Sequence, residues 1–343
     1  MSTARARVTT ALALAVTIAL LAMAALVVLL EDASNAGGRG MVHAADHAGM
    51  TMDPSEAMYG DHVRAPGGPH ATDALLDLPP ARPYQPGRIR AFTLLAEEHD
   101  VEIAEGLMFP AWTLSEPGQE PTVPGPVLRV TEGDLVRITL VNNSTEPHSL
   151  HTHGIHPADQ DGVLDMVQPG EQFTYEFTAG PAGVQPYHCH AMPLKKHIGK
   201  GLYGTMIVDP RHTPPPADRE MAMVMNAYDT NHDGENEVYT VNGRAFYYAK
   251  YPIRVKRGEL NRIYLANMTE NDPLNSFHVH GNFFEYHPIG FMNPGTYTDV
   301  VTQIQGDRGI VDIRFPDTGR FMFHAHQTEF GDLGWMGFFE VVA

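Results

Sequence analysis

The sequence predicts an all-β chain built as two β-sandwiches in tandem, and three observations carry this. Short runs alternate apolar and polar residues: Val136, Ile138 and Leu140 interleave with Arg137 and Thr139, and Phe173, Tyr175 and Phe177 repeat the pattern. A period of two is what a strand shows when one face lies on a core. Such runs recur between clusters of Gly, Pro, Asn and Asp, with few helical patterns between them. The whole pattern also occurs twice. LRVTEGDLVRITLVNNSTEPHSLHTHG at 128–154 is matched by IRVKRGELNRIYLANMTENDPLNSFHVHG at 253–281, PYHCH at 186–190 by MFHAH at 322–326, and LYGTMIV by WMGFFEV. Self-similarity over that length marks a duplicated domain.

In chain order, Arg5 and Arg7 precede an uncharged apolar run at 8–30, which Glu31 and Asp32 close. The run is long enough to span a bilayer, and its basic flank faces the cytoplasm. Residues 1–36 therefore read as a signal peptide or an N-terminal membrane anchor, with the globular part extracytoplasmic: secreted, periplasmic or anchored facing outside. Residues 37–81 are rich in Gly, Ala, Asp and Pro and read as a flexible tether. Its Met41, His43, His47, Met50, Met52 and Met58 are ligand types for copper(I), but they read first as incidental residues of a tail. The first sandwich is expected over 82–211, a linker over 212–219, and the second sandwich over 220–343. Within the second, DTNHDGENE at 229–237 is a calcium loop only superficially. Its twelfth position is Thr240, where a bidentate Glu is required. It reads as a polar hairpin turn before a strand at 238–241.

Of 343 residues, 43% are hydrophobic, so a sizeable core can form. A formal net charge of −18 argues against nucleic acid as a partner. One cysteine excludes a disulfide framework.

That cysteine, Cys189, stands between His188 and His190. On a strand its thiol points to one face and the two imidazoles to the other. Four His-X-His pairs occur at matching points of the repeat: His151/His153, His188/His190, His278/His280 and His324/His326. Eight imidazoles exceed one tetrahedral zinc. They suit three metals, two taking three histidines and one taking two. His148 lies three residues before His151, hence on the opposite face, the side of Cys189, and His197 follows in the same loop. His148, Cys189 and His197 make a His₂Cys set, the signature of a blue-copper electron-transfer centre.

These residues resemble the multicopper oxidases, in particular the two-domain, laccase-like branch built of cupredoxin domains. HSLHTHG, HCH with its following His, HVHG and HAH carry the resemblance, which spans 82–343. It implies two Greek-key cupredoxin sandwiches and about four coppers per chain. It also implies that donor electrons enter singly at a type 1 copper and that O₂ is reduced to water at a trinuclear cluster. By position, His148, Cys189 and His197 would hold the type 1 copper, with Leu202 at the axial position in place of Met. His151 and His278 would hold the type 2 copper. His153, His188, His190, His280, His324 and His326 would hold the type 3 pair. Asp161 matches the acidic residue that relays protons near the type 2 copper, and Glu329 is a weaker candidate for such a role. The second domain has Asn275, Ala325 and Phe330 where blue-copper ligands would stand, so one type 1 copper per chain is expected. Cys189 and His197 are further apart than in typical laccases, and the extra region, 193–196, reads either as a solvated loop or as a shaper of donor access.

Two other functions share parts of this pattern. A copper nitrite reductase needs one catalytic copper on three histidines, and leaves His190 and the HAH pair unexplained. A copper carrier needs only His148, Cys189 and His197. The electron donor is not legible among phenols, Cu(I), Fe(II), Mn(II) and a protein. Two domains per chain, where larger relatives close a ring with three, imply a homotrimer in which each cluster is shared between subunits.

Overall fold

The computed structural model describes residues 75–76, 78, 80–212, 216–291 and 294–343. The apolar run at 8–30 and the Met and His residues of the tether lie outside the described residues. Among those described, no helix is long and apolar enough to cross a membrane.

The first sandwich comprises β1 (Ile89–Ala104), β2 (Leu107–Ser115), β3 (Leu128–Thr131), β4 (Leu135–Asn142), β5 (His151–Thr152), β6 (Gln172–Thr178), β7 (Gly183–His188) and β8 (Tyr203–Asp209), with a short helix α1 (Leu194–Gly199) between the last two. One sheet runs β2-β1-β4-β6 and the other β3-β8-β7-β5. The alternation read along β4 is kept: Val136, Ile138 and Leu140 are fully buried, while Arg137 is exposed.

The second sandwich repeats the plan with β9 (Arg219–Tyr228), β10 (Val238–Val241), α2 (Tyr247–Lys250), β11 (Ile253–Lys256), β12 (Asn261–Asn267), β13 (Leu274–Val279), β14 (Phe284–Pro288), β15 (Thr296–Thr298), β16 (Val300–Ile304), β17 (Arg308–Ile313), β18 (Gly319–His324), α3 (Thr328–Asp332) and β19 (Met336–Val342). Its sheets run β10-β9-β12-β17-β14-β15 and β11-β19-β18-β13-β16. The duplication is visible in the pairing. β3 lies parallel to β8 as β11 does to β19, and His151 faces His188 across β5–β7 as His278 faces His324 across β13–β18.

The polar hairpin at 229–237 forms as the sequence predicts, with Val238 paired to Tyr228. The Asp229 carboxylate accepts the backbone N–H groups of Asp233 and Gly234, closing the turn on itself. At 193–196 the structure holds neither a plain loop nor a strand but the start of α1.

The sandwiches meet through a small apolar layer of Val184, Ile207, Tyr264 and Ile310. Beside it a buried ion network ties the two. Arg129 of β3 donates to Asp209 at 2.9 Å and to Glu220 at 2.8 Å, and Tyr264 donates to Glu220 at 2.6 Å. Arg308 of β17 reaches across to the carbonyl of Val184 and the amide oxygen of Gln185.

Candidate metal centres

In the first sandwich Cys189 follows the last residue of β7 and is 1% exposed. Its sulfur lies 3.3 Å from His197 Nδ1 and 3.8 Å from His148 Nδ1, and the two ring nitrogens are 3.2 Å apart. One soft sulfur and two imidazole nitrogens thus converge in a dry pocket, a donor set suited to copper. Burial pushes the Cys189 thiol up, and backbone N–H groups of Ser149 and Ala191 aimed at the sulfur oppose that. Burial, with the neighbouring His197 ring, lowers His148 to about 4, so it stays neutral and free to ligate at ordinary pH.

Leu202 is fully buried in the same core cluster as Cys189, and its carbonyl accepts the Cys189 N–H at 2.9 Å. Met206 shares that cluster, whereas Met192 is 79% exposed and turned to solvent. Trp112 of β2, which no motif marked, lies edge-on to both histidines, with ring centroids at 5.2 Å from His148 and 4.8 Å from His197. The Lys196 ammonium lies over the indole at 4.7 Å.

The alternation read around Cys189 holds: the sulfur faces His148 and His197, while the His188 and His190 rings stack on each other. The sequence predicts whole strands under the His-X-His pairs, but the strands stop inside them. β5 ends at Thr152, β7 at His188, β13 at Val279 and β18 at His324. A strand end keeps the two rings on one side and leaves the outer ring clear of the sheet.

His151, His153 and His188 bring their nitrogens together, and His190 adds its ring 5.4 Å from that of His151. His153 Nε2 lies 3.3 Å from His188 Nε2. Burial lowers both, His153 to about 3 and His188 to about 4. The second sandwich rebuilds the same cluster from His278, His280 and His324, with His326 5.1 Å from His278. His280 Nε2 and His324 Nε2 are 2.9 Å apart.

Four rings are oriented through their inner nitrogens. His151 Nδ1–H donates to the Asp161 carbonyl, His278 Nδ1–H to that of Asp299, His188 Nδ1–H to that of Cys189, and His324 Nδ1–H to that of Ala325. A carbonyl acceptor fixes the tautomer and leaves Nε2 with its lone pair for a metal.

The Asp161 carboxylate also reaches His151 Nδ1 at 3.0 Å and lies 3.6 Å from His156 Nε2. Sequence reasoning missed His156. It follows His153 by three residues but stands outside any His-X-His pair. Asp299, the counterpart of Asp161, was missed too, because no residue type or spacing marks it before the fold is known. Glu329 is exposed on α3 and makes no hydrogen bond or ion pair with any of the eight histidines; its charge acts on Tyr239.

Asn275, Ala325 and Phe330, at the points matching the His₂Cys set, are packed as core. Trp335 donates to Asn275 at 3.0 Å, and Phe330 stacks on Tyr239 at 4.0 Å. Among the described residues no ring contact joins a histidine of the first cluster to one of the second.

Two family models match adjoining parts of the chain, each described as multicopper oxidase, over residues 117–213 and 213–343. A solved structure described as a multicopper oxidase superposes with a TM-score of 0.74 at 48% identity, covering 79% of this chain and 96% of that one. A probable nitrite reductase–hydroxylamine oxidoreductase fusion protein of Kuenenia stuttgartiensis is 31% identical over 200 residues, 53% of this chain. A copper-containing nitrite reductase of Neisseria meningitidis is 30% identical over 230 residues, 61% of this chain. The chain spans 23% and 58% of the lengths of these two curated relatives. With both sandwiches matched over most of the chain and copper-type donors converging in them, this protein belongs to the multicopper oxidase family, whose cupredoxin-like fold it shares.

Proposed function

We propose that the chain is an oxidase of laccase type, oxidising a small electron donor one electron at a time and reducing O₂ to water. His148, Cys189 and His197 would hold a type 1 copper, with Leu202 beside it. His151 and His278 would hold a type 2 copper, and His153, His188, His190, His280, His324 and His326 a type 3 pair. The metals supply one-electron exchange at the first set and four-electron chemistry with O₂ at the second. The protein supplies the rest. Burial of Cys189 excludes water from the sulfur, and the Cys189 backbone with its flanking histidines makes a short covalent path between the two sets. The Asp161 carboxylate orients His151 and can hold a proton beside it. The apolar run at 8–30 supports an extracytoplasmic location.

The observation that carries this reading is that both clusters keep four histidines, with His190 and His326 ring-packed onto their neighbours. The second reading is nitrite reduction at one copper on three histidines. The curated nitrite-reductase relatives favour it, and so does the three-ring convergence of His151, His153 and His188. Copper content with oxygen uptake separates the two: about four coppers per chain and O₂ consumption for the oxidase, about two and nitrite turnover for the reductase.

Among the described residues no ring contact joins the two clusters within one chain, so on this reading a shared site would need a second copy. A homotrimer closes a six-domain ring with the first sandwich of one chain against the second of the next. Mixing a chain lacking His151 and His153 with one lacking His324 and His326 tests this. Each is inactive alone, and partial oxygen uptake returns in the mixture if clusters are shared. No recovery, with both variants folded and oligomeric, would rule sharing out.

A further inference from the structure

One cation of the second sandwich stands beside the first histidine cluster, and among the described residues no carboxylate pairs with it. Arg308 opens β17 and is half-buried. Its guanidinium donates to the Val184 carbonyl and the Gln185 amide oxygen, each at 3.3 Å, and to the Gly306 carbonyl at 3.5 Å. The neighbouring Asp307 carboxylate accepts the Arg308 backbone N–H at 2.8 Å and forms no ion pair with the guanidinium. These side-chain contacts are long bonds to neutral acceptors, made by a group whose charge is permanent. They also run on to the cluster. Val184 and Gln185 lie on β7, which ends at His188, and the Pro186 carbonyl, next in line, accepts the His153 N–H at 2.9 Å. From the second sandwich Gly306 faces the same ring, since a Cβ built there would lie 3.7 Å from His153 Cε1. Burial and the His188 ring lower His153, and the Arg308 charge adds to them.

We propose that Arg308 builds an anion subsite on the first histidine cluster, where a small inorganic monoanion of the hydroxide, halide, azide or nitrite class seats between the guanidinium and His153. The proposal rests on His151, His153, His188 and His190 holding copper, which the oxidase and reductase readings share. A partly desolvated cation without a counter-charge is costly, and metal bound at these histidines adds positive charge beside it. Three of the five guanidinium N–H groups meet the acceptors above, so two remain for an anion. Charge-assisted bonds from a guanidinium to an anion are shorter and stronger than the neutral ones it makes here. Arg308 is thereby a positioning residue for anionic species that the reaction consumes or releases at the cluster. It also gives the second sandwich a part in the first cluster within a single chain.

Azide is the probe. Titrated into the copper-loaded parent, it should give a near-ultraviolet absorption whose saturation yields an affinity. Arg308→Gln should weaken that affinity roughly tenfold or more, the loss of one charge-assisted bond. Arg308→Lys, which keeps the charge, should restore part of it. The candidate type 1 ligands all lie in the first sandwich, so blue absorption equal to the parent's reports that a variant has folded. A second measurement needs no variant: crystals of the parent soaked in sodium bromide should show anomalous density within hydrogen-bond reach of the Arg308 guanidinium. An unchanged azide affinity in a blue Arg308→Gln chain, a Lys variant no better than the Gln one, or no bromide beside Arg308 each overturns the subsite and leaves Arg308 a strut between the sandwiches. A parent that holds only the type 1 copper overturns the reading beneath it, the cluster as a copper site.

Discussion

Leu202 shows how far one residue's surroundings decide the chemistry beside it. On the proposed reading it would stand where a thioether could add weak coordination to a copper held by His148, Cys189 and His197; it is fully buried, and its carbonyl accepts the Cys189 N–H. An aliphatic side chain offers no donor atom, so a copper held there would keep only the His₂Cys donors and have a higher potential than one with a thioether beside it. Leu202→Met keeps volume and burial, a swap that cores tolerate at a cost below about 1.5 kcal/mol. It should lower the blue-copper potential and shift the visible spectrum, read by redox titration of the purified holoprotein. An unchanged potential would mean that the buried Met206, or no side chain at all, faces that position. The candidate ligand residues were legible because Cys and His in a period-two pattern have little other reason to repeat. Trp112, His156 and Asp299 were not, since each meets the histidines only through strand pairing or loop closure that local spacing does not encode.

At the scale of elements, the loop after β5 does the positioning. Asp161 reaches His151 because the chain doubles back at Gly162, which has φ +74°. A Cβ at Gly162 would sit 2.2 Å from the Leu150 carbonyl oxygen, a backbone atom that has no side-chain freedom to give way. Gly162→Ala should therefore cost at least the ~1–2 kcal/mol of a left-handed L-residue, and more through the forced shift. For a chain of this size that is roughly 2–4 °C of melting temperature per kcal/mol. Calorimetry of the metal-free protein checks the stability, and copper content checks whether His151 loses its orientation. An unchanged melting temperature would show that the loop can move without cost. The strands around this loop were readable from alternation. The helix α1 was not, because six residues after Met192-Pro193 are too few for a 3.6-residue period to declare itself.

For the whole molecule, the duplication told from sequence that there are two sandwiches, but not how they are held together. That depends on residues remote in sequence: Arg129 with Asp209 and Glu220, and, in the cleft between α1 and the 229–237 hairpin, Glu270. Glu270 belongs to the second sandwich and Lys195, the cation acting on it, to the first. The residue is 8% exposed. Burial raises its carboxyl from 4.5 to about 7, and Lys195 and the Gln305 amide only partly oppose this. The native state thus holds this proton up to about pH 7, while the unfolded chain releases it near 4.5. Between those values the folded form binds more protons, so stability falls as pH rises. The contribution is fully present below pH 4.5 and lost above about 7. At about 1.4 kcal/mol for each pH unit between the two values, its size is at most roughly 3.5 kcal/mol. Glu270→Gln keeps the shape and removes the titration. Denaturant unfolding of both proteins in metal-free form at pH 5 and pH 8 should show the variant losing less stability between the two, with the gain concentrated at pH 8. Parallel losses would mean that Glu270 ionises as an ordinary carboxylate and that the cleft is wetter than its packing indicates.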